Sequence, residues 1–122
     1  QKGIAIQGYD PVAYFTQQKA VKGTKQFSIS AEGVIYYFST TVNKDLFSKD
    51  YKKYEPQYGG WCAYAMGASN DKVEIDPETF KIKDGKLYLF YHSWVNNTLT
   101  KWNKAAVSLN AKADKNWQIL YQ

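Results

Sequence analysis

The stretch Tyr58-Gly59-Gly60-Trp61-Cys62-Ala63-Tyr64-Ala65-Met66 holds the only cysteine and the only methionine of a 122-residue chain. On a helix, residues four apart share a face, so Cys62 and Met66 would point at one spot. Thiolate and thioether are soft ligands that select Cu(I), and imidazole tolerates copper as well. The sole histidine, His92, therefore completes a candidate soft-metal set of Cys62, Met66 and His92. Packing competes with that reading, because Cys and Met both fill cores without any further role. The same stretch crowds Tyr58, Trp61 and Tyr64 around two glycines. With Tyr9, Asp10 and Tyr14 from an earlier block, it predicts an aromatic pocket of the kind that takes small ligands.

Other chemistries find less in the chain. A Cys62–His92 dyad would make a nucleophile, but no hydrolase signature surrounds Cys62, so the sequence reads as non-catalytic. One cysteine and one histidine cannot build a four-ligand zinc site. The acids Asp10, Glu32, Glu55, Asp76 and Asp84 stand at turn positions, where capping is their ordinary role. Gly59-Gly60 lacks the context of a phosphate-binding loop. The net charge of +5 comes wholly from scattered lysines. Without arginine there is no bidentate reader of guanine, which argues against sequence-specific nucleic-acid binding. No run approaches the roughly 20 apolar residues of a membrane helix.

The elements that must position these residues follow from pattern. Asp10-Pro11 reads as a cap and first residue of a short helix. Phe27–Ser30 and Val34–Phe38 read as two strands joined tightly at Ala31-Glu32-Gly33. Thr41 to Lys49 has helical spacing, followed by a turn over Tyr51 to Tyr54. A helix is predicted over Trp61 to Met66, and a strand over Val73 to Ile75 that ends at Asp76-Pro77. Phe80–Lys83 and Lys86–Tyr91 flank Asp84-Gly85, a type I′ hairpin signal with positive φ at both turn residues. Trp94, Val95, Leu99 and Trp102 predict a helix near 93–103. Ala106, Leu109, Ala113, Trp117 and Leu120 predict another near 103–121, either continuous with the first or separate, with Asn110 or Asp114 marking a break. No internal repeat is evident. The fold class is α+β: a small antiparallel sheet built from hairpins, with short helices and C-terminal helices.

Gly8-Tyr9-Asp10-Pro11-Val12-Ala13-Tyr14-Phe15, Tyr36-Tyr37-Phe38-Ser39, Asn43 to Phe47, Lys53-Tyr54, Pro56 to Ala63 and Asp84 to Leu89 together resemble the YHS domain family. They are most similar to its branch of small bacterial exported proteins. The resemblance spans about residues 7–91 and implies one YHS-like domain over 1–122, with 93–121 as a helical addition. It also implies a signal peptide on the precursor and a periplasmic or secreted location; the abrupt start at Gln1-Lys2-Gly3 itself reads as processed or trimmed. The metal-binding branch of that family carries cysteines where this chain has Ala13, Ser39 and the Thr41–Asn43 region, so that metal site does not transfer. The expected function is non-catalytic binding of a soft metal ion such as copper near Cys62. The alternative is a small-molecule or protein-binding module in which Cys62 is structural.

Overall fold

A computed structural model describes residues 3–121, and the side chains of residues 3–119. Its antiparallel hairpins and short helices make an α+β fold, as expected. The helices are α1 (Ala13–Thr16), α2 (Thr41–Lys49), α3 (Tyr51–Tyr54), α4 (Ala63–Ser69), α5 (Thr98–Asn103) and α6 (Ala106–Tyr121). The strands are β1 (Thr24–Ala31), β2 (Val34–Phe38), β3 (Asp76–Lys83), β4 (Lys86–Phe90), β5 (His92–Ser93) and β6 (Asn96–Asn97). They pair β1–β2, β3–β4 and β5–β6, three two-stranded antiparallel hairpin sheets among the described residues.

Several boundaries differ from the sequence reading. Val73 to Ile75 precedes a strand instead of forming one, and Asp76-Pro77 opens β3. The helix expected over 93–103 starts only at Thr98, where the Asn97 side chain accepts from the N–H groups of Leu99 and Thr100. Upstream, His92 to Asn97 is a hairpin whose tip residues Trp94 and Val95 are 99% and 92% exposed. Their apolar character imitated a helix face. α6 runs unbroken through Asn110 and Asp114. Of its expected apolar face, the Leu120 side chain lies outside the described residues.

The larger departure is a repeat. Shifted by 52 positions, the backbone reproduces itself from residue 4 to residue 38. The left-handed run Ile6-Gln7-Gly8, with φ of 53°, 54° and 86°, recurs as Tyr58-Gly59-Gly60 with 58°, 61° and 86°. Gln18 at 56° recurs as Asn70 at 60°, and Glu32-Gly33 as Asp84-Gly85, whose φ values of 53° and 75° fit the expected turn. The Asp10 N–H to Val21 carbonyl bond of 2.8 Å recurs as Cys62 to Val73 at 2.9 Å. The parallel bridge Ile4–Ile35 recurs as Pro56–Leu87. Both hairpins also slip register in corresponding places, between Thr24 and Ser28 and between Asp76 and Phe80. Few side chains match across the shift, among them Gly8/Gly60, Val21/Val73, Tyr36/Tyr88 and Phe38/Phe90. Side-chain comparison therefore conceals what the backbone repeats.

The chain thus folds as two copies of one unit: a left-handed turn, a short helix, a hairpin and a closing helix. α2 closes the first and α5 the second, the β5–β6 hairpin being extra in the second. The copies share a core, since one apolar cluster takes Ile6, Phe38 and Phe47 from the first and Cys62, Leu87 and Leu89 from the second. A second cluster lies beneath α6 and contains Tyr58, Met66, Tyr88, Phe90, Trp102 and Leu109.

Candidate functional site

Each unit is tied together by one fully buried residue between its left-handed turn and its short helix. In the first unit this is Asp10. Its Oδ1 accepts from the Val12 and Ala13 N–H groups at 2.9 and 3.3 Å, which caps α1. Its Oδ2 accepts from the Ser39 N–H at 2.8 Å, the Ser39 hydroxyl at 2.7 Å and the Asn43 amide at 2.8 Å. Short helix, hairpin exit and closing helix converge on one carboxylate that meets only donors. Expected as a ligand-binding residue, Asp10 is instead 0% exposed and occupied by its own chain.

Cys62 holds the equivalent place in the second unit. Its Sγ accepts from the Tyr91 N–H at 3.2 Å, as Asp10 does from Ser39. It lies 3.5 Å from the Thr98 hydroxyl, as Asp10 lies against Asn43. The Thr98 hydroxyl donates its proton to the Tyr91 carbonyl. Its oxygen is left to accept from the thiol, so the Cys62 S–H is the donor in that contact.

The expected Cys62, Met66 and His92 set is not assembled. Cys62 precedes α4 with ψ of 121°, outside helical geometry, so the shared-face argument fails. Cys62 belongs to the shared cluster and Met66 to the cluster beneath α6. His92 is exposed, with Nδ1 3.0 Å from the Thr79 hydroxyl and 3.6 Å from Asp76 Oδ2. Among the described residues, no group of three or more His, Cys, Asp and Glu side chains is placed to hold a metal ion. The donor set therefore does not fit copper.

A thiol held this way reacts only when the fold opens, because alkylation requires access and a thiolate. Native protein is expected to resist iodoacetamide, with labelling rising in urea alongside unfolding. Labelling of folded protein at the rate of a free thiol would contradict the role assigned to Cys62.

The expected aromatic residues are dispersed. Tyr14 is buried, and its hydroxyl donates to the Pro77 carbonyl at 2.7 Å. Tyr9, Trp61 and Tyr64 are half-buried. The Lys72 ammonium stands 5.8 Å from the Trp61 ring, and the Lys101 ammonium 6.0 Å from the Tyr64 ring. Tyr58 alone of the six lines the main cleft, while Tyr14 lines a separate groove beside Phe80.

That cleft has a volume of about 450 Å³. Its walls come from the β1–β2 hairpin, the connection after α3 and the far end of α6, contributing Tyr36, Tyr58 and Trp117 among others. Tyr58 is fixed in its left-handed conformation by α6: its hydroxyl donates to Asp114 Oδ1 at 2.7 Å and accepts from the Asn110 amide at 3.0 Å. Gly59 makes room for the indole, since a Cβ there would stand 3.0 Å from the Trp117 ring. At the rim, the Glu32 carboxylate accepts from Lys52 at 3.1 Å and from the Tyr51 hydroxyl at 3.0 Å. These contacts hold its carboxyl below its ordinary value, Lys52 first and Tyr51 second. Deeper in, Tyr36 is only 6% exposed; its hydroxyl makes no hydrogen bond to the described residues and opens on the cleft, Asn96 Oδ1 being the one enclosed side-chain atom without a partner among them. The Glu55 side chain likewise makes no hydrogen bond to them. Burial first, and the Glu32 charge second, push the Glu55 carboxyl above its ordinary value. Burial, followed by Glu55 and Glu32, raises the Tyr36 phenol.

Sequence reasoning found Tyr58 but missed Tyr36, Glu55 and Trp117. The available signal for Trp117 was its place on an amphipathic helix, which reads as core. Compared with known proteins, the chain matches no family model, no curated protein and no solved structure.

Proposed function

We propose that the chain is a non-catalytic binding domain whose ligand is a small molecule seated in the cleft formed by Tyr36, Tyr58 and Trp117. The observation that carries this reading is the cleft itself. About 450 Å³ lies within the size range of small-ligand sites. Three aromatic rings line it together with the Tyr36 hydroxyl, the Glu55 carboxylate and the Gln57 amide, which no other described residue satisfies. These groups open on the cleft and meet its solvent, so a ligand seated there takes the place of that water. The Cys62 environment supports the non-catalytic part, because its polar neighbours are a backbone N–H and a hydroxyl that is already donating.

A fragment screen followed by amide NMR tests the reading. Hits are expected to shift residues of the cleft, Val34, Tyr36, Glu55 and Trp117 among them. Val34→Trp, which fills the cleft from its β2 wall, is expected to remove those shifts while the melting temperature stays near native. Hits clustered elsewhere, for example at the Trp94–Val95 tip, would refute the cleft and favour a protein-docking role for that hairpin.

A further inference from the structure

The chain is basic overall, yet this cleft is not. Its titratable side chains are Glu32, Glu55, Lys52, Tyr36 and Tyr58. Lys52 and Glu32 pair at 3.1 Å with side chains 69% and 52% exposed, so that pair belongs to the rim and to solvent. The Tyr58 hydroxyl is committed to Asp114 and Asn110. What remains inside is the Glu55 carboxylate without an ion pair or hydrogen bond among the described residues, beside the Tyr36 hydroxyl in the same condition. The Tyr36 ring is more than nine-tenths buried, while its hydroxyl, unpartnered among the described residues, opens on the cleft and is available to a group that enters from outside.

On this basis, and resting on the cleft as the binding site, we infer that the ligand is a compact organic cation, an ammonium group carried on a flat or apolar frame. An anion would meet two carboxylates and, among the described residues, no cation but Lys52 at the rim. A neutral ligand would strip water from Glu55 without replacing it, which is costly for a charged group. An ammonium group supplies the missing charge, donates to Glu55, and leaves a donor for the Tyr36 oxygen. The rings of Tyr36, Tyr58 and Trp117 add to the attraction, since aromatic faces bind cations, Trp best. The frame of such a ligand stacks where Trp117 lies over Gly59.

The test uses the full chain and three probes of one shape: phenethylamine, 2-phenylethanol and phenylacetate, titrated at neutral pH by amide NMR. The amine is expected to bind about tenfold or more tightly than the alcohol, and the acid most weakly. Glu55→Gln is expected to reduce amine affinity to the level of the alcohol while leaving the alcohol's unchanged. Glu32→Gln, at the solvated rim, is expected to cost the amine only about twofold. Melting curves of both variants verify that they are folded. Equal binding of amine and alcohol, or an unchanged amine affinity in Glu55→Gln, would overturn the cation inference and leave the cleft standing. Absence of cleft shifts with all three probes would overturn both.

Discussion

Asp10→Ala is expected to destabilise the protein by roughly 4 kcal/mol or more, seen as a large fall in the urea midpoint. The substitution strands five hydrogen-bond donors in the interior: three backbone N–H groups, the Ser39 hydroxyl and the Asn43 amide. Each buried polar group left without a partner costs about 1–3 kcal/mol, though water entering the gap recovers part of the sum. A loss of that size consumes much of the 5–15 kcal/mol that holds a typical domain together. Cys62→Ala deletes the equivalent node but strands only the Tyr91 N–H, because the Thr98 hydroxyl keeps its bond to the Tyr91 carbonyl. It is expected to cost less than half as much. If Asp10→Ala cost under about 1 kcal/mol, the carboxylate would not be the tie between short helix, hairpin and closing helix.

Gly67→Ala is the second large effect. Alanine is the better helix former by about 1 kcal/mol, so propensity alone favours the change. Packing opposes it. A Cβ at Gly67 would stand 2.6 Å from the Leu109 carbonyl oxygen, which is backbone and cannot rotate away. α4 and α6 must therefore separate, and overpacking of this kind costs about 3 kcal/mol at the upper end of its usual range. The expected net loss is roughly 2 kcal/mol, measured by thermal melting. Because α6 also carries Trp117, the variant is expected to weaken binding in the cleft without touching a cleft residue. A melting temperature at or above that of the unaltered chain would show that the helices have room to spare.

Much of the fold was legible because local pattern decided it. The Asp84-Gly85 hairpin announced itself through turn chemistry between alternating strands, and α2 through the helical spacing from Thr41 to Lys49. The repeat was not legible, because residues other than glycine hold several of its left-handed positions. Ile6, Gln7, Gln18 and Tyr58 all have positive φ, and nothing in their chemistry advertises it. Ile6 is the extreme case, since a β-branched residue resists that conformation and tertiary packing must impose it. The same holds for the candidate site. Cys62 and Met66 looked like a pair only on the assumption that both were helical. Tyr36, Glu55 and Trp117 became neighbours only through contacts between segments far apart in sequence.

The two unlike nodes also bear on how the chain folds. Two copies of one backbone plan within a single polypeptide invite exchange, the hairpin of one closing on the short helix of the other. Such crossed assembly is a recurrent failure of repeated sequences during refolding. Here a crossed product would set the Asp10 carboxylate against Tyr91 and Thr98, too few donors for its charge. It would also leave Asn43 and Ser39 facing a thiol that is a weak acceptor. The mismatch in chemistry between Asp10 and Cys62 therefore acts as a key, marking which half belongs to which. Making the nodes alike with Cys62→Asp and Thr98→Asn would erase the key, and slower, branched refolding is the consequence to look for.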